Sequence, residues 1–206
     1  DKVKTPAQLL DLWERSVGHN ANLHLNFPVD RRGLIHENDA KAVLGLRALL
    51  DATYGKGTDL ALGRPTAADN MRGFVPGGAQ EKPKPLAFGA DKAVDGDPAT
   101  YWATEDGTTA ASIEVELDPA KPFDRVVLSE PTWLGQRIRR FRVSVPAEPS
   151  NNHRDWVVLA EGTTVGHTRI VRVPETRSKY LRVEILDARA CPCLSGFSVH
   201  ATAKSP

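Results

Sequence analysis

Residues 22–35 read NLHLNFPVDRRGLI, and this stretch decides how the first part of the 206-residue chain is interpreted. Apolar and polar side chains alternate from Asn22 to Phe27, which is the period of a half-buried β-strand. Pro28 and the DRRG segment at 30–33 predict a turn directly after that strand. Because a single strand cannot form a sheet, either its neighbours lie elsewhere in the protein or the stretch is not a strand.

Amphipathic helices are predicted on both sides of the strand. In the first, Thr5 suits the N-cap and Pro6 the first helical position. The second is expected to begin near Asn38 and to end at Gly55. One face of each helix is apolar, and the residues on these faces are Leu9, Leu10, Trp13 and Val17 in the first and Val43, Leu46, Leu49 and Leu50 in the second. The predicted order is therefore helix, strand, helix over residues 1–57.

The remainder of the chain, from about residue 58 to residue 206, has no sustained helical period. Short runs rich in β-branched and aromatic residues recur instead, which is typical of an all-β sandwich. These runs are residues 111–117, 123–129, 140–145, 156–160, 168–173 and 180–186. The Pro- and Gly-rich segment 76–85 is interpreted as a surface loop inside this part. The sequence therefore predicts two domains, residues 1–57 and residues 58–206.

Composition and charge exclude several classes of function. Hydrophobic residues make up 40% of the chain and charged residues 26%, as in ordinary globular proteins. The net charge of +1 gives no electrostatic basis for binding nucleic acid or an anionic membrane. No apolar run approaches the roughly 20 residues of a membrane-spanning helix. One residue separates Cys191 from Cys193, a spacing at which a disulfide would be strained, so free thiols are expected.

The segment AVDGDPATYW at residues 93–102 combines a tight turn with oxygen-bearing side chains and a pair of aromatic residues. Asp95, Asp97 and Thr100 could bind Ca²⁺ together with backbone carbonyl groups, because calcium prefers oxygen ligands. Alternatively, Asp95 forms a turn without a metal, and Trp102 anchors the core of the sandwich. The residue types leave both interpretations open.

The order of these residues resembles that of the discoidin-like modules, also called F5/8 type C or galactose-binding-like modules. Their recurrent Ala-x-Asp-Gly-x-x-x-Thr-x-Trp pattern stands here at Ala93, Asp95, Gly96, Thr100 and Trp102. The resemblance covers roughly residues 59–203 and implies a jelly-roll-like sandwich. It also implies a structural calcium ion at the Asp95 turn, although Gly196 stands where such modules usually have an acidic residue.

The same resemblance implies a sugar-binding surface, because some of these modules bind sugars through loops at one end of the sandwich. By residue type, the candidates are Trp133, Gln136, Arg137 and His153. An indole face can stack on sugar C–H groups while polar neighbours bond to the hydroxyl groups. The simpler interpretation, which we favour, is that Trp133 packs between the two domains.

The first domain resembles the closing segment of the catalytic barrel in family 29 glycoside hydrolases, the α-L-fucosidases. The resemblance rests on SVGHNANLHLN at 16–26, PVDRRGLI at 28–35 and DATYG at 51–55. A discoidin-like sandwich follows the barrel in a subset of these enzymes, and YWATEDG at 101–107 and LGQR at 134–137 resemble that sandwich. The predicted fold class is an α+β fragment, in which the final helix–strand–helix of a (β/α)8-like barrel precedes an all-β galactose-binding-like (jelly-roll) sandwich.

The fucosidase resemblance implies a retaining glycoside hydrolase that acts on terminal α-L-fucosyl linkages, with a lean toward the α-1,3/1,4-specific subset. It implies that the nucleophilic Asp and the acid/base residue lie outside this chain. An N-terminal barrel portion, as a separate chain or a further segment, would carry them. A fucosylated oligosaccharide or glycan would be the ligand, no cofactor would be required, and the family favours a secreted or periplasmic location.

Four residues of the first domain could line the substrate pocket, namely Leu23, His24, Asn26 and His36. Leu23 stands where the family often has an aromatic or apolar residue near the methyl group of the sugar. Because side chains alternate along a strand, Leu23 and His24 cannot both face the barrel interior.

The alternative function is that of a non-catalytic carbohydrate-binding module. In that case residues 1–57 would be a remnant, and the sandwich would bind sugars in a calcium- or galactose-type manner without hydrolysis.

Overall fold

The computed structural model describes residues 3–74, 86–147 and 155–203. Its first part contains two α-helices, α1 (Pro6–Ser16) and α2 (Glu37–Tyr54). Thr5 caps α1 as predicted, because its hydroxyl accepts the Gln8 backbone N–H and the Gln8 side chain accepts the Thr5 N–H. No helix in the described ranges is long and apolar enough to cross a membrane. The loop predicted at 76–85 lies outside the described residues.

The prediction of a strand from Asn22 to Phe27 is wrong for this chain as it stands. Residues 21–28 have no regular secondary structure. A strand requires a neighbour that takes up its backbone N–H and C=O groups. No other described segment pairs with residues 22–27, and the following turn closes on itself through a bridge between Val29 and Ile35.

The second part forms ten short strands within the described residues. They are β1 (Thr66–Ala68), β2 (Trp102–Ala103), β3 (Ala111–Glu116), β4 (Phe123–Ser129), β5 (Ile138–Pro146), β6 (Trp156–Gly162), β7 (Arg169–Thr176), β8 (Tyr180–Ala188), β9 (Cys193–Leu194) and β10 (Gly196–His200). The six predicted runs correspond to β3 through β8, so this part of the prediction is confirmed.

These strands build a sandwich of two main sheets, with β2 and β9 as a separate pair. One sheet has the order β1-β3-β8-β5-β6 and the other β10-β4-β7, and all neighbours are antiparallel. The largest fully buried side chains are Trp102, Phe123, Phe141 and Phe197. Trp102 also donates its indole N–H to the Asn70 carbonyl oxygen at 2.9 Å. The expectation that Trp102 anchors the core is therefore confirmed.

Glu14, in the last turn of α1, joins both helices to the three-stranded sheet. It is 2% exposed, and its Oε1 accepts from the Tyr54 hydroxyl at 2.6 Å and from Arg125 Nε at 3.0 Å. Arg172 Nε lies 2.6 Å from Oε2, as a charge contact rather than an aligned hydrogen bond. Burial and the Glu14 carboxylate raise the pKa of Tyr54, so the phenol remains a donor. One buried carboxylate thus connects α1, α2, β4 and β7.

The turn after α1 extends this interface. The Ile170 N–H donates to the Gly18 carbonyl oxygen at 2.8 Å. The Asn20 amide donates to the Val165 carbonyl oxygen at 2.9 Å and accepts the Thr168 N–H at 3.0 Å. Asn20 has a φ of 66°, in the left-handed region that asparagine tolerates better than most residues. The sandwich is therefore attached at the end of α1 that precedes the predicted strand.

His200 on β10 is buried at the same interface. It is 5% exposed, and its ring nitrogens lie 3.1 Å from Thr58 Oγ1 and 2.9 Å from Ser198 Oγ. The Tyr54 ring contacts the imidazole edge-on at 5.2 Å between centroids. Burial lowers the pKa of His200 below its usual 6.5, and the negative charge of Asp59 partly opposes this effect.

This depressed His200 pKa predicts a loss of stability in acid. As the pH falls below about 6.5, the unfolded chain binds a proton that the folded chain does not. The stability from neutral His200 should therefore be complete above that pH and decline as the pH falls toward the folded-state pKa. Urea denaturation from about pH 7.5 to pH 5 should show this slope, and His200→Gln should flatten it. Equal slopes in both proteins would exclude His200 as the source.

Candidate functional site

The segment of the predicted strand presents two distinct faces. Leu23, Leu25 and Phe27 are half-buried, and Leu25 packs on the apolar cluster between α1 and α2. His24 and Asn26 are exposed. An open groove of about 410 Å³ runs between this segment and the two helices, and both polar residues line it. Of the four pocket candidates, His24 and Asn26 share the exposed side of the segment, whereas Leu23 lies on the half-buried side.

His36 and Asp30, at the carboxyl end of this segment, have structural roles. His36 caps α2, because its Nδ1 accepts the Asn38 N–H at 3.1 Å. Asp30 accepts the backbone N–H groups of Arg32 and Leu34 at 2.8 and 3.3 Å, as expected for the predicted turn. The Arg32 guanidinium beside it holds the pKa of Asp30 below its usual value. These contacts explain both side chains without a catalytic role.

The turn at Asp95 is held by its own side chains. Asp95 Oδ1 accepts the Asp97 N–H at 3.0 Å, and Oδ2 accepts the Thr100 hydroxyl at 2.7 Å. Lys92 Nζ lies 3.9 Å from that same Oδ2. These contacts explain the turn without a cation, and the described ranges contain no group of three His, Cys, Asp or Glu side chains placed to bind a metal. Calcium at Asp95, Asp97 and Thr100 stays a prediction, which a calcium-dependent rise in melting temperature would support.

Trp133 is exposed at the surface of the sandwich. It lies in a 3₁₀ turn and is 61% exposed, so the expectation that it packs between the two parts of this chain is wrong. Its ring meets that of Tyr101 edge-on at 6.2 Å between centroids, and Tyr101 contacts Phe88 at 5.1 Å. The two parts instead meet through Glu14 and Asn20, which leaves the Trp133 turn outside their interface.

Gln136 and Arg137 shape the loop that carries Trp133. The Gln136 amide donates to the Ile138 carbonyl oxygen at 3.1 Å. The Arg137 guanidinium donates to the carbonyl oxygens of Leu134 at 3.4 Å and Cys191 at 3.0 Å. Trp133 is therefore the exposed aromatic candidate, while the polar groups of Gln136 and Arg137 are engaged within the loop. The fourth sugar-binding candidate, His153, lies outside the described residues.

Glu130 is a residue of this region that sequence reasoning missed. It is 3% exposed, and it accepts the backbone N–H groups of Arg137, Ile138 and Gly166 at 2.8, 2.9 and 2.6 Å. The carboxylate thereby joins two loops beside an open groove of about 550 Å³. The groove wall includes Gly96, Thr132, Trp133, His167, Ser195 and Ser198. Sequence reasoning missed Glu130 because its neighbours in the chain do not indicate that backbone N–H groups from other loops bind its carboxylate.

The first comparison with known proteins concerns the sandwich. A family model described as a NedA-like, galactose-binding domain matches residues 92–183. Chitosan-binding module 1 of a chitosanase/glucanase from Paenibacillus has the same fold, with a TM-score of 0.56 and 24% sequence identity. The alignment covers 68% of this chain and 97% of that module.

Other relatives match almost the entire chain. Alpha-L-fucosidase 1 of Arabidopsis thaliana is 28% identical over 198 residues, or 95% of this chain. The GH29 fucosidase of Ruminococcus gnavus, solved in complex with fucose, is 28% identical over 98% of the chain, with a TM-score of 0.82. A candidate α-L-fucosidase of Bacteroides thetaiotaomicron is 31% identical over 99%, with a TM-score of 0.83. The chain matches the carboxyl-terminal part of α-L-fucosidases.

The α-L-fucosidase match includes the helices and the sandwich together, which confirms the predicted fold class. The chain spans 36% of the Arabidopsis protein, 38% of the Ruminococcus structure and 41% of the Bacteroides structure. A domain boundary between residues 57 and 58 stays a prediction.

Proposed function

We propose that this chain is the closing part of a retaining α-L-fucosidase whose complete form hydrolyses terminal α-L-fucosyl linkages of glycans. The observation that carries the proposal is the match to α-L-fucosidases over at least 95% of the chain, on both sides of the predicted domain boundary. In this proposal, residues 1–57 complete a (β/α)8-like barrel and residues 58–206 form the attached sandwich. The α-1,3/1,4-linked subset of fucosylated glycans is the proposed substrate class.

The unpaired segment and the turn after it support a missing barrel portion. The apolar side chains of this turn are exposed: Val29 by 66%, Leu34 by 57% and Ile35 by 50%. Apolar surface concentrated in this way is typical of a region that another part of the protein covers. The proposed barrel portion would pair with the strand segment and cover this turn. It would also supply the nucleophilic Asp and the acid/base residue, roughly 5 Å apart as in retaining glycosidases. No residue of this chain is assigned to that pair.

His24 and Asn26 are the proposed pocket residues of this chain. Leu25, between them, packs on the helices, so strand alternation turns its two neighbours toward the barrel interior. Leu23 shares the helix-facing side and His36 caps α2. We therefore propose that Leu23 and His36 shape the pocket wall without touching the sugar.

The sandwich contacts support its position on the face of the barrel opposite the active site. Catalytic residues of such barrels lie where the strands end, which corresponds here to the turn at residues 28–36. Gly18 and Asn20, which bond to the sandwich, lie before the strand segment begins. The sandwich would therefore brace the closing unit of the barrel from behind, and the Trp133 groove would lie away from the reacting fucosyl group.

The test is release of 4-nitrophenol from 4-nitrophenyl α-L-fucoside by the complete protein. We expect hydrolysis by the complete protein and none by residues 1–206 alone. His24→Ala should lower kcat/KM by about tenfold, the effect of one lost hydrogen bond to substrate. His19→Ala is the matched control, since His19 is an exposed histidine in the turn after α1, before the segment begins. A folded complete protein that hydrolyses neither this substrate nor α-1,3- or α-1,4-fucosylated oligosaccharides would refute the proposal.

A second candidate function, carbohydrate binding by the sandwich, is favoured by the exposed Trp133 beside the 550 Å³ groove. Calorimetric titration with galactose and with N-acetyllactosamine tests it. We expect Trp133→Ala to weaken binding by about tenfold, because the stacking face is lost. Trp133→Phe, which keeps an aromatic face, should lose less. Unchanged affinity in Trp133→Ala would exclude this surface, and fucoside hydrolysis should be unaffected in either variant.

A further inference from the structure

Two arginine side chains converge on one buried sulfur atom next to the Trp133 loop. Cys191 and Cys193 are both free, as the sequence predicted, and both are buried. Arg137 Nη1 lies 2.8 Å from Cys191 Sγ, and Arg72 Nη2 lies 3.4 Å from it. Arg137 Nη1 also lies 3.4 Å from Cys193 Sγ. The cluster is packed against Ala103, Phe88 and Tyr101.

The cluster contains two guanidinium groups and one carboxylate, that of Asp106, whose pKa is lowered mainly by Arg72 and also by the Cys191 thiol and the charge of Arg137. Arg72 is paired with the Asp106 carboxylate. The described contacts of the Arg137 guanidinium, in contrast, are carbonyl oxygens and sulfur atoms, and no described carboxylate forms an ion pair with it. A half-buried guanidinium is normally matched by an anion, since an unpaired buried charge is costly. The atom that Arg137 approaches most closely is the Cys191 sulfur, at 2.8 Å.

The two thiols differ in their surroundings. Burial raises the pKa of Cys193 to about 12, so Cys193 stays protonated at neutral pH. Cys193 receives one guanidinium donor at 3.4 Å, whereas Cys191 receives two donors and the shorter contact. Cys191 is also the more exposed of the two, at 8% against 2%. If either sulfur reacts, the structure selects Cys191.

We propose that Cys191 is a modification site at which hydroperoxides oxidise the thiol to a sulfenic acid. A sulfur lone pair attacks one peroxide oxygen, an S–O bond forms and the O–O bond breaks. The departing oxygen takes the thiol proton and leaves as water or an alcohol, while sulfur loses two electrons and the peroxide gains them. The guanidinium groups of Arg137 and Arg72 would donate hydrogen bonds to the departing oxygen and to the oxygen added to sulfur.

The sequence around Cys191 favours persistence of that product. A disulfide with Cys193 would have to close across Pro192 alone, a spacing that strains disulfide geometry. Arg137 also holds the carbonyl oxygen of Leu134, in the turn that carries Trp133. The oxygen added to Cys191 should therefore bind the same Arg137 guanidinium that holds the Trp133 loop. Oxidation should thus change the environment of Trp133.

The test is trapping of the sulfenic acid by dimedone in the complete, folded protein after hydrogen peroxide treatment, followed by peptide mass spectrometry. We expect one adduct at Cys191, none at Cys193, and none in Cys191→Ser. Trapping should be about tenfold slower in Arg137→Met, which loses a charge-assisted donor, and partly restored in Arg137→Lys. Treatment should also shift the tryptophan emission of the wild type but not of Trp133→Phe.

Two outcomes would overturn the proposal. One is that neither cysteine reacts before the protein unfolds, which would make the pair part of the core. The other is that Arg137→Met, verified as folded by circular dichroism, reacts as fast as the wild type. Arg72→Met provides the test where Arg137→Met does not fold. Fucoside hydrolysis is not a readout here, so failure of this proposal leaves the proposed function unaffected.

Discussion

Replacing Glu14 with alanine is expected to lower the free energy of unfolding by about 3–5 kcal/mol. The substitution removes the partner of Tyr54 and leaves the guanidinium groups of Arg125 and Arg172 beside an empty position. Breaking a buried ion pair from one side is costly because the remaining charge loses compensation away from water. The cost falls mainly on Arg125, whose side chain is 14% exposed and keeps only the Asp124 carboxylate at 3.1 Å. Urea denaturation followed by tryptophan fluorescence measures the loss. Because Glu14 connects four elements, the helices should also separate from the sandwich at lower urea concentration.

Asp11 provides a matched control for Glu14. It lies one turn earlier on α1 and also contacts Arg172, at 2.7 Å, but its side chain is 34% exposed. Exposed ion pairs contribute at most about 1 kcal/mol, so Asp11→Ala should have a much smaller effect. Similar losses in the two variants would show that Glu14 does not hold the interface through buried charge.

Replacing Glu130 with alanine is expected to cost about 3 kcal/mol or more. Three backbone N–H groups would lose a charged acceptor, and the bonds from Ile138 and Gly166 are buried. Unmatched buried donors are costly because water cannot replace the missing acceptor. The loops of Arg137 and Gly166 should then loosen, so Trp133 should become more accessible to acrylamide quenching. Chemical denaturation gives the energy, and quenching gives the local effect.

Glu105 provides the control for Glu130. It accepts one backbone N–H, that of Gly73 at 2.6 Å, and the bond is exposed. Glu105→Ala should therefore change stability by roughly 0.5 kcal/mol or less, as is usual for surface substitutions. Glu130→Gln, which retains one good acceptor oxygen, should fall between the two. A small effect of Glu130→Ala would mean that water reaches its three N–H partners.

Local patterns predicted the secondary structure of the sandwich well because each signal is contained in a few neighbouring residues. Alternation identified β3 and β8 without knowledge of their partners. Capping chemistry placed the start of α1 at Thr5 for the same reason, since donor and acceptor are three residues apart. The strand predicted at residues 22–27 does not form in this chain, although apolar and polar side chains alternate there. A strand needs a neighbour that takes up its backbone hydrogen bonds.

The functional residues were predicted less well, since their roles depend on contacts that are distant in sequence. Sequence resemblance correctly connected the chain to α-L-fucosidases, but residue type alone could not separate Trp133 from Gln136 and Arg137 as sugar contacts. The structure distinguishes them by hydrogen bonding: Trp133 and Gln136 are both exposed, but the side chains of Gln136 and Arg137 hold the loop.

The sequence by itself determined the helix start at Thr5, the turn at Asp30, the six central strands and the relation to α-L-fucosidases. These features depend on local geometry, or on residue patterns that can be recognised without knowing which residues are in contact. Only the tertiary structure decided that Glu14 meets Arg125 across 111 residues, and that Arg137 reaches Cys191 across 54 residues. Such pairings depend on how the sheets and helices pack, and burial gives them their energy by removing the water that would otherwise satisfy the same groups.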